Sequence, residues 1–378
     1  MKTAHEIIHG DARQMAAVPD ASVDLVVTSP PYPMIAMWDE LFAGLNDRIG
    51  EALEAGRGME AFELMHGELD AVWREVRRVL KDGGLVCLNI GDAVRTIAGD
   101  FALYPNHTRI QAALLGLGLQ ALPAILWRKP TNAPTKFMGS GMLPAGAYVT
   151  LEHEYVMIFR KGGKRIFADD DQKRLRRESA FFWEERNAWF SDLWLDLRGT
   201  PQVRPGAEAR SGAFPLELPY RLISMFSVQG DRVLDPFLGT GTTLWAAMAA
   251  GRHSLGYEID THFRALYRGG LESIVGWAGG RIAARLDDHL RFVQEKLDQG
   301  VHLRHINRPY EFPVMTAQET DLRLLKLQSV TIRSTTRFEA SYASTPQASP
   351  AGPGPAVESP SPSAATPIVV PRQRRLFD

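Results

Sequence analysis

The segment Arg232-Val233-Leu234-Asp235-Pro236-Phe237-Leu238-Gly239-Thr240-Gly241-Thr242-Thr243 decides how this chain folds. An apolar strand ends at Asp235, a glycine-containing loop follows, and Thr242 to Ala250 reads as a helix closed by Gly251. A second strand, His253 to Tyr257, terminates in Glu258, seventeen positions past Gly241. Glycines at a strand-to-helix turn let the backbone approach a ligand with no Cβ in the way, and an acid ending the next strand accepts hydrogen bonds from ribose hydroxyls. The pattern predicts a nucleoside cradle. A phosphate loop is disfavoured because no Gly-Lys-Ser/Thr follows, and the dinucleotide fingerprint is incomplete because Leu244 stands at its third glycine.

Working outward, short β-branched runs alternate with helical spacing. Ile7 to Asp11, Val23 to Val27 and Leu85 to Ile90 read as strands; Leu69 to Leu80, with Leu69, Val72, Trp73, Val76, Val79 and Leu80 apolar, reads as a helix. This alternation predicts an α/β protein with a mostly parallel sheet covered on both faces. Residues 41–68 look like a helical insertion, a candidate flap. Between 132 and 205 the pattern degrades: Lys136, Arg160, Lys161, Lys164 and Arg165 are interleaved with Phe167, Phe181, Phe182, Trp183, Trp189 and Trp194. A solvated, charge-rich insertion would have that composition, and so would a module that meets phosphates with Lys/Arg and bases with aromatic rings. Beyond Ser334 the chain turns Ser/Ala/Pro-rich and is expected to be disordered. The expected division is 1–131, 132–205, 206–333 and a tail, 334–378.

A second motif follows the strand Val23 to Val27: Thr28-Ser29-Pro30-Pro31-Tyr32-Pro33. Consecutive prolines hold the backbone extended and remove amide donors, so carbonyl oxygens point outward as acceptors. With the Ser29 hydroxyl they form a rigid acceptor edge beside the Tyr32 ring, a site suited to a planar amine.

Composition narrows the classes. The chain has 378 residues, 45% hydrophobic and 23% charged, which is globular rather than fibrous or wholly disordered. Its 43 Lys+Arg and 44 Asp+Glu give a net charge of -1, and taken alone that balance argues against a polyanion partner. The basic residues nevertheless concentrate in the middle segment. One cysteine, Cys87, in an apolar run, supports neither a disulfide nor a cysteine zinc site, so no metal is expected and a cytoplasmic location is. The start of the sequence has no signal-peptide core, and the most apolar stretch is broken by Gly116, Gly118 and Pro123.

Together the two motifs resemble those of S-adenosylmethionine-dependent amino-group DNA methyltransferases, with the catalytic motif ahead of the cofactor motif as in the β-group. The resemblance runs from about Ile8 to Asp260 and includes Gly10-Asp11, Arg78 to Gly84, Trp127 to Pro130 and Ala213-Phe214-Pro215. It implies a Rossmann-like methyltransferase fold with a circularly permuted motif order, an inserted target-recognition region and S-adenosylmethionine as cofactor. By this resemblance Asp235, Phe237, Gly239, Gly241 and Thr242 line the cofactor's methionine and ribose, Glu258 binds the ribose hydroxyls, Asp11 takes the adenine amino group, and Phe214 and Pro215 pack on the methionine portion. Ser211 stands where relatives often carry histidine.

The same resemblance makes Ser29, Pro30, Pro31 and Tyr32 catalytic. Ser29 and the Pro30 carbonyl accept the amine hydrogens of a flipped base while Tyr32 stacks on it, and the methyl moves by in-line displacement. Lys129 is expected near that base, and Lys136, Arg160, Lys161, Lys164 and Arg165 on duplex DNA. Serine at the first catalytic position resembles cytosine-N4 enzymes; the alternative is adenine N6, and more distantly an RNA or protein amide. A third class, a non-catalytic DNA-binding protein with a vestigial cofactor fold, conflicts with two intact motifs. Cytosine-C5 chemistry needs a thiolate that Cys87 does not offer. The resemblance implies either a member of a restriction-modification pair, with a cognate restriction endonuclease as functional partner, or an orphan enzyme. Finally, Gln373, Leu376 and Phe377 resemble the short peptide by which bacterial replication and repair proteins dock on the sliding clamp.

Overall fold

In a computed structural model, residues 1–129, 138–198, 200–202 and 210–344 are described. Ten strands form one sheet: β1 (Lys2–His9), β2 (Val23–Thr28), β3 (Leu80–Ile90), β4 (Leu119–Arg128), β5 (His153–Lys161), β6 (Leu193–Trp194), β7 (Arg232–Asp235), β8 (His253–Glu258), β9 (Leu325–Ile332) and β10 (Arg337–Ser344). Their spatial order is β6-β4-β5-β3-β2-β7-β8-β1-β10-β9. The central run β3-β2-β7-β8-β1 is parallel throughout, while β5 and β10 join it antiparallel.

Nine α-helices flank the sheet among the described residues: α1 (Asp39–Leu45), α2 (Asp47–Glu54), α3 (Gly58–Val79), α4 (Asn106–Gly116), α5 (Asp170–Glu178), α6 (Trp183–Trp189), α7 (Glu217–Phe226), α8 (Thr242–Ala250) and α9 (Leu266–Asp298). Strand residues alternate between two cores, as a two-residue side-chain period requires. Leu25, Val27, Cys87 and Val233 face a core with α7, α8 and α9; Val26, Val86, Leu88 and Leu234 face one with α1 to α4. This is a Rossmann-like methyltransferase fold.

The chain leaves β2 through α3 on one face and leaves β7 through α8 on the other. The boundary between β2 and β7 is thus the topological switch point, where a doubly wound sheet opens a crevice at its strand C-termini. Val233 pairs with Leu25 and Leu234 with Val26, so two motifs about 200 residues apart in sequence exit side by side.

Three expected boundaries change. Residues 41–68 are no flap: Phe42, Ile49, Ala52, Phe62 and Met65 are fully buried beneath the sheet. The segment 132–205 is not a separate module, because β5 lies inside the sheet between β3 and β4. Its run Val156-Met157-Ile158-Phe159 is apolar on both faces, and the basic residues around it masked that signal. The tail begins later than Ser334, since β10 pairs with β1 and buries Phe338, Ala340 and Tyr342. The candidate docking peptide Gln373, Leu376 and Phe377 lies outside the described residues, as does Lys136.

Candidate active site

The candidate cofactor cradle forms where β7 and β8 end. Asp235 is 2% exposed; its Oδ1 accepts from Thr28 Oγ1 at 2.6 Å and from the Phe237 amide at 3.0 Å. Burial pushes this carboxyl up to about 6, against the lowering effect of those donors and of Thr243. Glu258, 8% exposed, accepts from the Gly239 amide at 2.7 Å and the Asp260 amide at 2.8 Å, and burial raises its carboxyl as well. Among the described residues neither carboxylate has an ion-pair partner.

Two aromatic side chains fix the loop between them. Tyr267 donates to the Gly239 carbonyl at 3.0 Å and Trp245 Nε1 to the Thr240 carbonyl at 3.3 Å. Gly241, the N-cap of α8, has φ of 87°, and a Cβ there would stand 3.1 Å from Trp245 Nε1, so both backbone and space require glycine. Thr242 opens the helix, half-buried, and Phe237 meets Trp73 edge-on at 5.8 Å.

The remaining expected cofactor residues are placed less uniformly. The Gly10 amide donates to the Glu258 carbonyl at 3.0 Å, which brings Asp11 beside Glu258. Burial would raise the Asp11 carboxyl, but Arg13 outweighs it: its amide and Nε both donate at 2.8 Å and hold the carboxyl below its ordinary value. Its oxygens are thus already shared before any adenine arrives. Phe214 and Pro215 are half-buried at the entry to α7, where the Leu218 amide donates to the Pro215 carbonyl at 3.0 Å.

The second motif forms the wall across the switch point. Ser29, Pro31 and Tyr32 are half-buried and Pro30 is buried. Behind them, Asn106 Nδ2 donates to the Pro33 carbonyl at 3.1 Å and the Gly91 carbonyl at 3.0 Å, and its Oδ1 meets His66 Nε2 at 3.0 Å. This clamp holds Met34 in the left-handed region, φ 67°, a conformation costing about 1–3 kcal/mol in a non-glycine residue.

The Tyr32 hydroxyl is the hub of a polar chain absent from the sequence-based expectations. Ser29 Oγ donates to it at 3.2 Å, Asn89 Nδ2 at 2.9 Å, and it donates to Glu154 Oε2 at 3.0 Å. Asn89 Nδ2 also reaches Glu154 Oε2 at 2.6 Å, and Lys129 pairs with Glu154 Oε1 while lying 4.7 Å over the Trp127 ring. Burial first, then the Glu154 charge, pushes the Tyr32 phenol well above its ordinary value. The signal for Asn89 and Glu154 was present: each is a polar residue set in or beside an apolar strand run.

The other expected DNA contacts lie elsewhere. β5 runs antiparallel to β3, so Tyr155 pairs with Ile90 at the motif edge and Arg160 with Leu85 toward the far one. Arg160 donates to Gln120 at 2.6 Å, Lys161 to the Arg77 and Leu80 carbonyls at 2.9 and 2.6 Å, and Arg165 to Asp231 at 2.6 and 2.9 Å. Lys164 is exposed beside them. Arg160, Lys161 and Arg165 brace the opposite edge of the sheet; their positive charge marked a structural seam, not a surface beside Ser29. Cys87 is buried and its thiol is pushed up by burial, as an inert core residue. Among the described residues no His/Cys/Asp/Glu cluster could hold a metal, and no helix is long and apolar enough to cross a membrane.

Residues 23–268, from β2 through the cradle, match the DNA methylase model of the N6/N4 methyltransferases. The chain belongs to this DNA methylase family. Two curated relatives of this methylase are type II methyltransferases: M.MthZI of Methanothermobacter thermautotrophicus, 50% identical over 86% of this chain and 91% of its own, and M.MjaI of Methanocaldococcus jannaschii, 49% identical over 77% and 97%. Among solved structures, a putative DNA modification methylase of Thermus thermophilus complexed with S-adenosyl-L-methionine is 34% identical, with a TM-score of 0.56 over 73% of this chain and 95% of that one. The cytosine-N4-specific PvuII DNA methyltransferase, 18% identical with a TM-score of 0.50 over 75% of this chain and 94% of that one, shares the fold.

Proposed function

We propose that this methylase is a site-specific DNA methyltransferase that transfers a methyl group from S-adenosylmethionine to the N4 amine of a flipped cytosine. S-adenosylmethionine supplies an electrophilic methyl carried on a sulfonium. Its fit to the cradle is supported by the two buried carboxylates, which have no cationic partner among the described residues, since a cationic ligand offsets their desolvation. Glu258 keeps lone pairs for ribose hydroxyls beyond those met by the Gly239 and Asp260 amides.

The observation that carries the reading is the direction of the Ser29 hydroxyl. Because it donates to Tyr32, its lone pairs are left to accept an amine hydrogen, and the Pro30 carbonyl is the second acceptor. Two acceptors on an exocyclic amine favour the pyramidal nitrogen whose lone pair is free to attack. Through the Thr28–Asp235 hydrogen bond this acceptor edge is tied directly to the cofactor cradle, so donor and amine are held in a single rigid crevice. Serine in place of a carboxylate at position 29 favours cytosine, and the half-buried Tyr32 ring offers the stacking face. Duplex DNA would then meet the edge where β2, β3 and β4 end, with a restriction endonuclease of the same specificity as functional partner.

Expression in a methylation-deficient host followed by modification-sensitive long-read sequencing tests this. N4-methylcytosine at a recurrent motif is expected; N6-methyladenine alone would assign the enzyme to adenine, and an unmodified genome would remove the reading. Ser29→Ala should abolish the mark while leaving cofactor affinity within about twofold.

A further inference from the structure

The polar chain behind Ser29 has a fixed direction. Tyr32 Oη receives two donors, Ser29 Oγ and Asn89 Nδ2, so its own hydrogen has one place to go, Glu154 Oε2. The amide orientation of Asn89 follows from the same geometry: at 2.6 Å from a carboxylate oxygen, the facing atom is the nitrogen. Ser29 therefore points toward Tyr32 and Tyr32 toward Glu154, while Lys129 balances the carboxylate from the other side. Asn89 is 2% exposed and the Glu154 side chain 12%, so the stretch behind the half-buried Ser29 and Tyr32 is shielded, whereas its far end opens at Lys129, 23% exposed.

We propose that Glu154, braced by Lys129, accepts the proton that the target amine releases as it is methylated, by way of Ser29 and Tyr32. The inference rests on the amino-methyltransferase reading but not on which base is the substrate. The amine lone pair forms the N–C bond while the C–S bond breaks with its electrons left on sulfur, and the nitrogen is left with one proton too many. That proton passes to Ser29 Oγ as the Ser29 proton passes to Tyr32 Oη and the Tyr32 proton to Glu154; one proton enters and one carboxylate is neutralised. Both hydroxyls end as they began. Tyr32 never has to exist as a phenolate, in keeping with the burial and neighbouring charge that disfavour that form. A base stacked on Tyr32 covers Ser29 from bulk water, so the buried chain becomes the route out, and Glu154 discharges to solvent beside Lys129. Glu154 is thus a residue that acts through Tyr32, not one that touches the base.

The test uses the full chain, labelled S-adenosylmethionine and DNA from a methylation-deficient host, under single-turnover conditions. Glu154→Gln keeps the hydrogen-bond acceptor and removes the charge; transfer should slow about 10–100-fold with cofactor and DNA Kd within twofold, and Glu154→Asp, which restores the carboxylate, should recover part of the rate. Tyr32→Phe should cost a similar factor, and the double variant should be no slower than the slower single one, because both cut the same path. Glu154→Gln with the wild-type transfer rate, or losses that multiply in the double variant, would overturn the proposal. Label found in adenine instead of cytosine would sink the base assignment alone, because the proton path is read from the rates.

Discussion

The two edges of the central sheet hold the same kind of residue in opposite states. At the N-terminal edge, Asp24 meets Lys81 at 2.7 Å and Arg165 at 3.8 Å, and Asp231 is gripped by Arg165 at 2.6 Å and by the Val228 amide at 2.8 Å. At the C-terminal edge, Asp235 and Glu258 are as deeply buried yet, among the described residues, receive only neutral hydrogen bonds. A buried carboxylate is costly unless paired, so the first edge is neutralised by arginine and lysine, whereas the second holds two negative charges open to a cation from outside. What separates a brace from a binding site here is the missing cation, not the presence of acid.

Replacing Asp235 by Asn attacks that contrast at its strongest point. The amide still accepts from Thr28 and Phe237, so the loop keeps its bonds, but the negative charge beside the proposed cofactor cradle is gone. Cofactor affinity measured by calorimetry should fall about 10–150-fold, the equivalent of a charged interaction of about 1.5–3 kcal/mol. Stability should move the other way. The carboxyl is raised in the folded state from 3.8 to about 6, so folding favours its protonated form. The stability it lends is present at low pH and is lost as pH rises from about 4 through 6, amounting to about 3 kcal/mol by pH 7. Thermal melts of the cofactor-free protein should accordingly show wild type losing stability relative to Asp235→Asn between pH 5 and 7.5, and saturating cofactor should reverse the order. Equal pH dependence in the two proteins would mean that Asp235 is already neutralised by a neighbour.

Arg165→Ala probes the opposite edge and should show the mirror image. It leaves Asp231 buried without its guanidinium, and because Arg165 is itself about one-third exposed the loss should be about 1–3 kcal/mol in denaturant unfolding, below that of a fully buried pair. The transfer rate at a temperature where the variant stays folded should not change. A large loss of activity without a loss of stability would erase the distinction between the two edges.

How much of this was legible beforehand depends on the range of each signal. The cradle could be read because its parts are consecutive: strand, glycine turn, helix and strand occupy Arg232 to Glu258, and α8 was expected at its observed bounds, Thr242 to Ala250. Ser29 to Tyr32 could be read because two prolines are a local constraint. The meeting of the two motifs was not written in either, since Thr28 and Asp235 are 207 positions apart and become neighbours only through sheet order. The polar chain failed for the same reason: Tyr32, Asn89, Lys129 and Glu154 come from four different stretches. Basic composition misled between 132 and 205 because charge at a strand end says nothing about which edge of the sheet the strand end occupies. A β5 that ran parallel would have carried Arg160 to the side of Ser29; running antiparallel, it carries Glu154 there instead.

That reversal makes a small but discriminating prediction about DNA. Arg160 and Lys164 would each contribute close to one counterion's worth of salt dependence if they touched phosphate, a change in the log–log slope of about 0.9 per contact. The double substitution Arg160→Ala with Lys164→Ala should leave that slope, measured by anisotropy on duplex DNA, within experimental scatter, because both residues face the edge away from Ser29. A slope shallower by about 2 would require the duplex to pass around the sheet to its far edge, and the two edges would then share the work of binding. With an unchanged slope, phosphate contacts are confined to the side where β2 and β3 end, and basic residues of the far edge such as Arg165 are engaged by internal carboxylates such as Asp231.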